Sequence, residues 1–215
     1  MTRVKVCGMT NLDDAEHAAS HGAWAIGLIH HPDSPRYVAP EAAEEIGAAL
    51  KRRCEVAGVF VNSTLDEVVE AAERETLTLL QFHGEEGPSF CIEASRRTGA
   101  KVIKAMRVTS AAEIKAAEAF RTDFHLFDAY WHGVHGGTGK SFDWDLAVKR
   151  RSKVPMILAG GLTAENVAGA LELVHPYAVD VVSGVEAEPG RKDHAKVEAF
   201  LAAAGVQVQS RAVSG

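Results

Sequence analysis

The chain has 215 residues, of which 47% are hydrophobic and 24% charged, with a formal net charge of −6. This is enough apolar material for one domain with a sizeable core, and it argues against disorder. An acidic chain with no basic block is poorly suited to nucleic acid or an anionic membrane surface, and no apolar run reaches the ~20 residues of a membrane span.

The three cysteines, Cys7, Cys54 and Cys91, are widely spread and form neither a disulfide framework nor a CxxC pair. Met1-Thr2-Arg3-Val4-Lys5 has no signal-peptide core behind it. The expected location is therefore the reducing cytoplasm.

Eight short apolar runs alternate with stretches of helical spacing. Val4–Cys7 comes first, and Asn11 marks the helix start behind it. Ala23–Ile29 follows, with Pro40 opening the second helix. Val56–Val61 leads to Thr64, which caps a helix whose Leu65, Val68, Val69 and Ala72 form one apolar stripe. Leu77–Phe82, Lys101–Met106 and Phe124–Asp128 are the next three runs. Val154–Ala159 precedes Thr163, which is expected to start a helix carrying Val167, Ala170, Leu171 and Val174. The last run, Val179–Val182, precedes the stripe Val197, Phe200, Leu201 and Ala204.

Such runs, too short for free-standing helices and rich in Val and Ile, read as strands of a parallel sheet buried on both faces. Eight units of roughly 25 residues each suit a single-domain α/β fold, the (β/α)8 barrel, over residues 1–204. An open doubly wound sheet is the alternative. It usually carries a GxGxxG turn after its first strand, whereas Cys7-Gly8-Met9-Thr10 stands there. Residues 205–215 are polar and expected to fray.

In such a barrel the chemistry gathers where the strands end, and phosphate often binds after the seventh and eighth. Gly160-Gly161 and Ser183-Gly184 stand at those two ends. Both are turns able to offer backbone N–H groups to an anion, which favours a phosphorylated small-molecule ligand. Cys7 ends the first strand and reads either as a small buried hydrophobe or as a nucleophile or general base. Asp128 ends the sixth, either as a cap or paired carboxylate, or as an acid whose pKa a dry site raises. Arg36, in Ser34-Pro35-Arg36-Tyr37, is either a surface ion-pair partner or a fork for a carboxylate. His83 and Asp180 lie at or near the same rim and are expected to support the site.

Cys54 and Cys91 read as structural. His132 and His135 have metal-site spacing but no obvious third ligand nearby. Gly136-Gly137-Thr138-Gly139-Lys140-Ser141 looks like the tail of a P-loop but has Val134 where the first glycine belongs. It reads better as a lid over the sixth strand.

Several segments together resemble the phosphoribosylanthranilate isomerase family. They are Lys5-Val6-Cys7-Gly8-Met9-Thr10, Ser34-Pro35-Arg36-Tyr37-Val38, Gly58-Val59-Phe60-Val61-Asn62, Gln81-Phe82-His83-Gly84, Asp128-Ala129-Tyr130, Gly136-Gly137-Thr138-Gly139-Lys140, Leu158-Ala159-Gly160-Gly161-Leu162 and Ser183-Gly184-Val185-Glu186. The resemblance implies a TIM barrel that performs an Amadori rearrangement in tryptophan biosynthesis without metal or cofactor. Cys7 would be its base, Asp128 its acid, and Arg36 the holder of the anthranilate carboxylate. Gly160, Gly161, Ser183 and Gly184 would hold the phosphate. The base needs its thiol pKa lowered, and the acid needs its own raised.

Val182 stands where the family commonly has a serine. A related aminoaldose isomerase, or a silent phospho-ligand binder, would differ at Cys7 or Asp128. The chain is expected to be a monomer or a homodimer.

Overall fold

The structure, a computed structural model, describes residues 2–108, 110–128 and 152–206. His132, His135, the glycine-rich segment from Gly136 to Ser141 and most of the 205–215 tail lie outside the described residues.

The elements follow the expected alternation. They run β1 (Arg3–Cys7), α1 (Leu12–Ser20), β2 (Ala25–Ile29), α2 (Pro40–Leu50), β3 (Glu55–Phe60), α3 (Leu65–Arg74), β4 (Leu79–Phe82) and α4 (Pro88–Thr98). Then come β5 (Lys101–Arg107), α5 (Ala111–Ala116), β6 (Phe124–Asp128), β7 (Met156–Ala159), α6 (Val167–Val174), β8 (Ala178–Val181), a short hairpin of β9 (Glu186–Glu188) and β10 (Arg191–Lys192), and α7 (His194–Ala203). β1 to β8 form a closed parallel barrel in sequence order, with β8 pairing back onto β1.

Closure excludes the open-sheet alternative and leaves these eight strands without an edge. It also fixes which residues face inward, because side chains alternate along each strand. Ala25, Ala57, Leu79, Ile103, Ala105, Leu126, Ile157 and Ala178 fill the barrel interior. The alternate residues, including Val6, Ile26, Phe60, Phe82, Phe127, Leu158 and Val179, form the larger core between sheet and helices. At the strand-start end Trp24, Phe124 and Tyr177 pack ring against ring, with the Arg3 guanidinium over Tyr177. These rings plug one end of the barrel and leave the strand-end mouth for chemistry.

The helix starts are mostly those marked in the sequence. Asn11 accepts from the Asp14 amide, Pro40 is at the first turn of α2, and Thr64 forms a capping box with Glu67. The start at Thr163 is corrected: the N-cap of α6 is Asn166. The Asn166 amide bridges the Thr163 N–H and the Gly161 carbonyl, so the intervening residues form a turn ahead of the helix. The β9–β10 hairpin has no counterpart in the sequence reading, because its strands are too short to show a period.

Two helix glycines give a stability test of opposite sign. A Cβ on Gly47 in α2 would overlap the Glu75 carbonyl oxygen, whereas one on Gly169 in α6 meets nothing. Gly47→Ala is expected to cost about 1–3 kcal/mol, and Gly169→Ala to stabilise by up to about 1 kcal/mol. Urea denaturation midpoints that move in the same direction for both would contradict this packing.

Candidate active site

Inward alternation puts Lys5 and Cys7 of β1 on the barrel axis side, and closure sets Lys5 opposite Asp180 of β8. Lys5 Nζ donates to Asp180 Oδ1 at 2.9 Å, with the two side chains 0% and 5% exposed. Burial works to lower the Lys5 ammonium, but Asp180 and Cys7 outweigh it and hold the group above the ordinary lysine value. Cys7 is directly above, its sulfur seated against Gly27 of β2, where a Cβ would overlap it. Burial pushes the Cys7 thiol up from its ordinary value; the Lys5 ammonium pulls the other way but does not prevail. The lowered thiol expected from the sequence is therefore corrected for the ligand-free protein. Desolvation of a thiolate in this pocket exceeds the help from one buried lysine.

Asp128 ends β6 across the mouth, with its side chain 24% exposed and its Oδ2 3.9 Å from His83 Nε2. Asp180 feels both of these groups. His83 is held by a buried knot beneath its loop. Lys104 donates to the Gly84 carbonyl and Glu86, and Glu86 accepts from the amides of Asn62 and Gly84.

Arg36 does not lie free at the surface. Its Nε and Nη2 donate to the two Glu186 oxygens at 2.8 and 2.6 Å, a bidentate pair that raises the guanidinium above its usual value. Burial would raise Glu186, but Arg36 and Lys192 outweigh it and hold the carboxyl below its usual range. Lys192 of the hairpin is buried and donates to Glu186 and to the Cys7 carbonyl oxygen. Arg36 Nη1 makes no hydrogen bond among the described residues.

The two glycine turns come together. Gly160 and Gly161 have φ of 99° and 64°, the left-handed region that glycine adopts without strain, directly after β7. Gly184, in the one-turn 3-10 helix after β8, packs so closely on the Leu162 carbonyl that a Cβ would overlap it. The turns at the ends of β7 and β8 thus form one backbone-lined corner, the arrangement that suits a phosphate.

A family profile described as N-(5'phosphoribosyl)anthranilate (PRA) isomerase matches residues 4–203. The N-(5'-phosphoribosyl)anthranilate isomerase of Geobacter metallireducens is 47% identical over 201 residues, covering 94% of this chain and 98% of that protein. The chain belongs to the phosphoribosylanthranilate isomerase family. The solved phosphoribosyl anthranilate isomerase of Thermotoga maritima superposes with a TM-score of 0.87 at 39% identity, covering 96% of this chain and 100% of that one. A phosphoribosyl anthranilate isomerase in complex with reduced 1-(o-carboxyphenylamino)-1-deoxyribulose 5-phosphate superposes with a TM-score of 0.82 at 36% identity, with the same coverage.

Within this isomerase-family barrel, Cys7, Asp128, His83, Gly160, Gly161, Ser183 and Gly184 stand at the strand-end mouth, and Arg36 stands beside it, tied to Glu186. Asp180 lies deeper, engaged with Lys5. Sequence reasoning gave no role to Lys5, Glu186 and Lys192. For Lys5 a signal existed: a lysine inside a run of buried strand residues needs a partner. Gln81 also faces inward, and its buried Oε1 has no hydrogen-bond partner among the described residues. Side-chain groups spaced to hold a cation, among the described residues, lie on the outer helices α1 and α7.

The raised Cys7 thiol has a direct consequence. The folded-state pKa lies above the ordinary 9.0, so the thiolate fraction keeps growing as pH rises through that value. Iodoacetamide alkylation of Cys7 in the ligand-free protein, followed by peptide mass spectrometry, is expected to keep accelerating beyond pH 9. A plateau already reached at neutral pH would mean that Lys5 outweighs burial.

Proposed function

We propose that this chain isomerises N-(5-phosphoribosyl)anthranilate to 1-(o-carboxyphenylamino)-1-deoxyribulose 5-phosphate, an aldose-to-ketose Amadori rearrangement in tryptophan biosynthesis. What carries this reading is the presence of Cys7 and Asp128 on the mouth that bears the abutting glycine turns, in a chain that matches the family over residues 4–203. The substrate has a phosphate at one end and an aromatic carboxylate at the other. The corner at Gly160-Gly161 and Ser183-Gly184 suits the first, and the remaining Nη1 of Arg36 suits the second.

Asp128, protonated, donates to the ribose ring oxygen as the C1–O bond breaks, and the anthranilate nitrogen supplies the electron pair that forms the Schiff base. The Cys7 thiolate then takes the proton from C2, and that electron pair moves into a C1–C2 double bond, giving the enolamine. Return of a proton to C1 and loss of one from the C2 hydroxyl give the ketose. The sequence is redox-neutral overall and needs no co-reactant.

A thiol with a raised pKa is scarce as thiolate but a stronger base once formed. Lys5 is the cation placed to hold that thiolate, with Asp180 orienting Lys5, so Asp180 is a positioning residue here. Asp128 is partly open to water without ligand. A bound substrate would cover it and exclude that water. The enzyme would act in the cytoplasm, as a monomer or a homodimer, without metal or cofactor in the chemical step.

Cys7→Ala and Asp128→Asn are each expected to lower kcat by at least ~100-fold in a fluorescence assay of substrate loss. Wild-type turnover in either folded variant would remove that residue from its role. Arg36→Ala is expected chiefly to raise KM, and an unchanged KM would reject the carboxylate contact.

A further inference from the structure

The α1–α7 face, on the outside of the barrel, carries three histidines and three acids. α1 begins at the mouth after β1 and runs away from it, so its last turn lies toward the plugged end of the barrel. His17 and His21 stand four residues apart there, one above the other on the same helix face. Glu198 reaches them from α7, with its Oε1 3.2 Å from His17 Nε2 and 3.7 Å from His21 Nε2. All three ligand-type atoms lie within 4.8 Å of one another. In a tetrahedral zinc shell with bonds of about 2.0–2.1 Å, ligand atoms stand about 3.3 Å apart. Two of the three spacings here are already close to that.

The hydrogen bond on the His21 ring leaves its metal-facing nitrogen unprotonated. His21 Nδ1 lies 2.8 Å from the His17 carbonyl oxygen. A carbonyl only accepts, so Nδ1 carries the proton and the Nε2 of neutral His21 presents a lone pair. His17 Nε2 is buried and makes no hydrogen bond among the described residues, with Glu198 Oε1 3.2 Å away. The His17 and His21 rings are 4.2 Å apart, and His194 stacks on the other side of His17 at 3.8 Å. Three imidazolium rings at such distances would repel one another. At His21, a carboxylate oxygen facing the Nε2 lone pair of the neutral ring is repulsive unless a cation lies between them.

The adjacent group of Asp13, Asp14 and His194 is a weaker candidate. Asp14 is already engaged by the Asn11 amide, the Lys192 N–H and His194. It serves instead to fix His194, and through the stacked rings His17.

We propose that His17, His21 and Glu198 form a site for a borderline divalent transition metal of the Zn2+ class, with water completing the shell. The site links the last turn of the first helix to the last helix, so the bound ion clasps the N-terminal and C-terminal helices of the barrel together. Its effect is on stability and not on the chemistry at the mouth.

The test is Zn2+ titration of the full chain by calorimetry, with thermal unfolding in Zn2+ and in a chelator. One site per chain and a higher Tm with Zn2+ are expected. His21 and Glu198 are 31% and 52% exposed, so His21→Ala and Glu198→Gln should fold normally, as circular dichroism would verify. Each is expected to weaken Zn2+ binding at least ~10-fold and to abolish the Tm increase. Zn2+ affinity unchanged in both variants would assign the metal to other groups, such as the thiols, and overturn the proposal. So would a wild-type chain that binds no Zn2+.

Discussion

The barrel closes on a charge pair. β8 returns to β1 in a register that sets Asp180 against Lys5 inside the sheet, where neither can reach water. Either charge alone there would cost several kcal/mol of desolvation; together at 2.9 Å they hold each other. Cys7 is two residues beyond Lys5 on the same inward row, so the electrostatics of the mouth are set from the barrel interior.

A second set of charges fixes the rim above. Glu186 receives Arg36 from the loop after β2 and Lys192 from the hairpin, and Lys192 also holds the carbonyl of Cys7. The Lys192 N–H goes to Asp14 of α1, and Thr10 donates to the Gly190 carbonyl. The hairpin after β8 therefore straps the segments that follow β1 and β2. Arg36 is held rigidly with one nitrogen left over, which suits positioning a ligand better than a mobile surface arginine would.

How much of this was legible in the sequence depends on range. The eight strands were visible because a parallel sheet covered on both faces demands continuous apolar runs, such as Met156–Ala159, and Asn11 and Thr64 carry a local capping signal. The α6 start differs because the Asn166 side chain holds a turn through Thr163 and Gly161 ahead of the helix, a geometry that composition does not show. The partners of the site were invisible for a different reason. Lys5 and Asp180 are 175 residues apart, and Arg36 and Glu186 are 150 apart, so only closure of the fold brings them together. The direction of the Cys7 shift was missed for the same reason. The sequence shows a cysteine at a rim but not how completely Gly27 and the neighbouring strands exclude water from its sulfur.

The proposed use of the mouth is to hold a phosphorylated sugar at the glycine corner while Cys7 helps to move a proton between adjacent carbons. The most direct measurement is the loss of anthraniloyl fluorescence when purified wild-type protein meets N-(5-phosphoribosyl)anthranilate generated in situ, with a chelator present. Decay far above the spontaneous rate and indifferent to the chelator is the predicted result. Decay at the spontaneous rate from demonstrably folded protein would contradict the account.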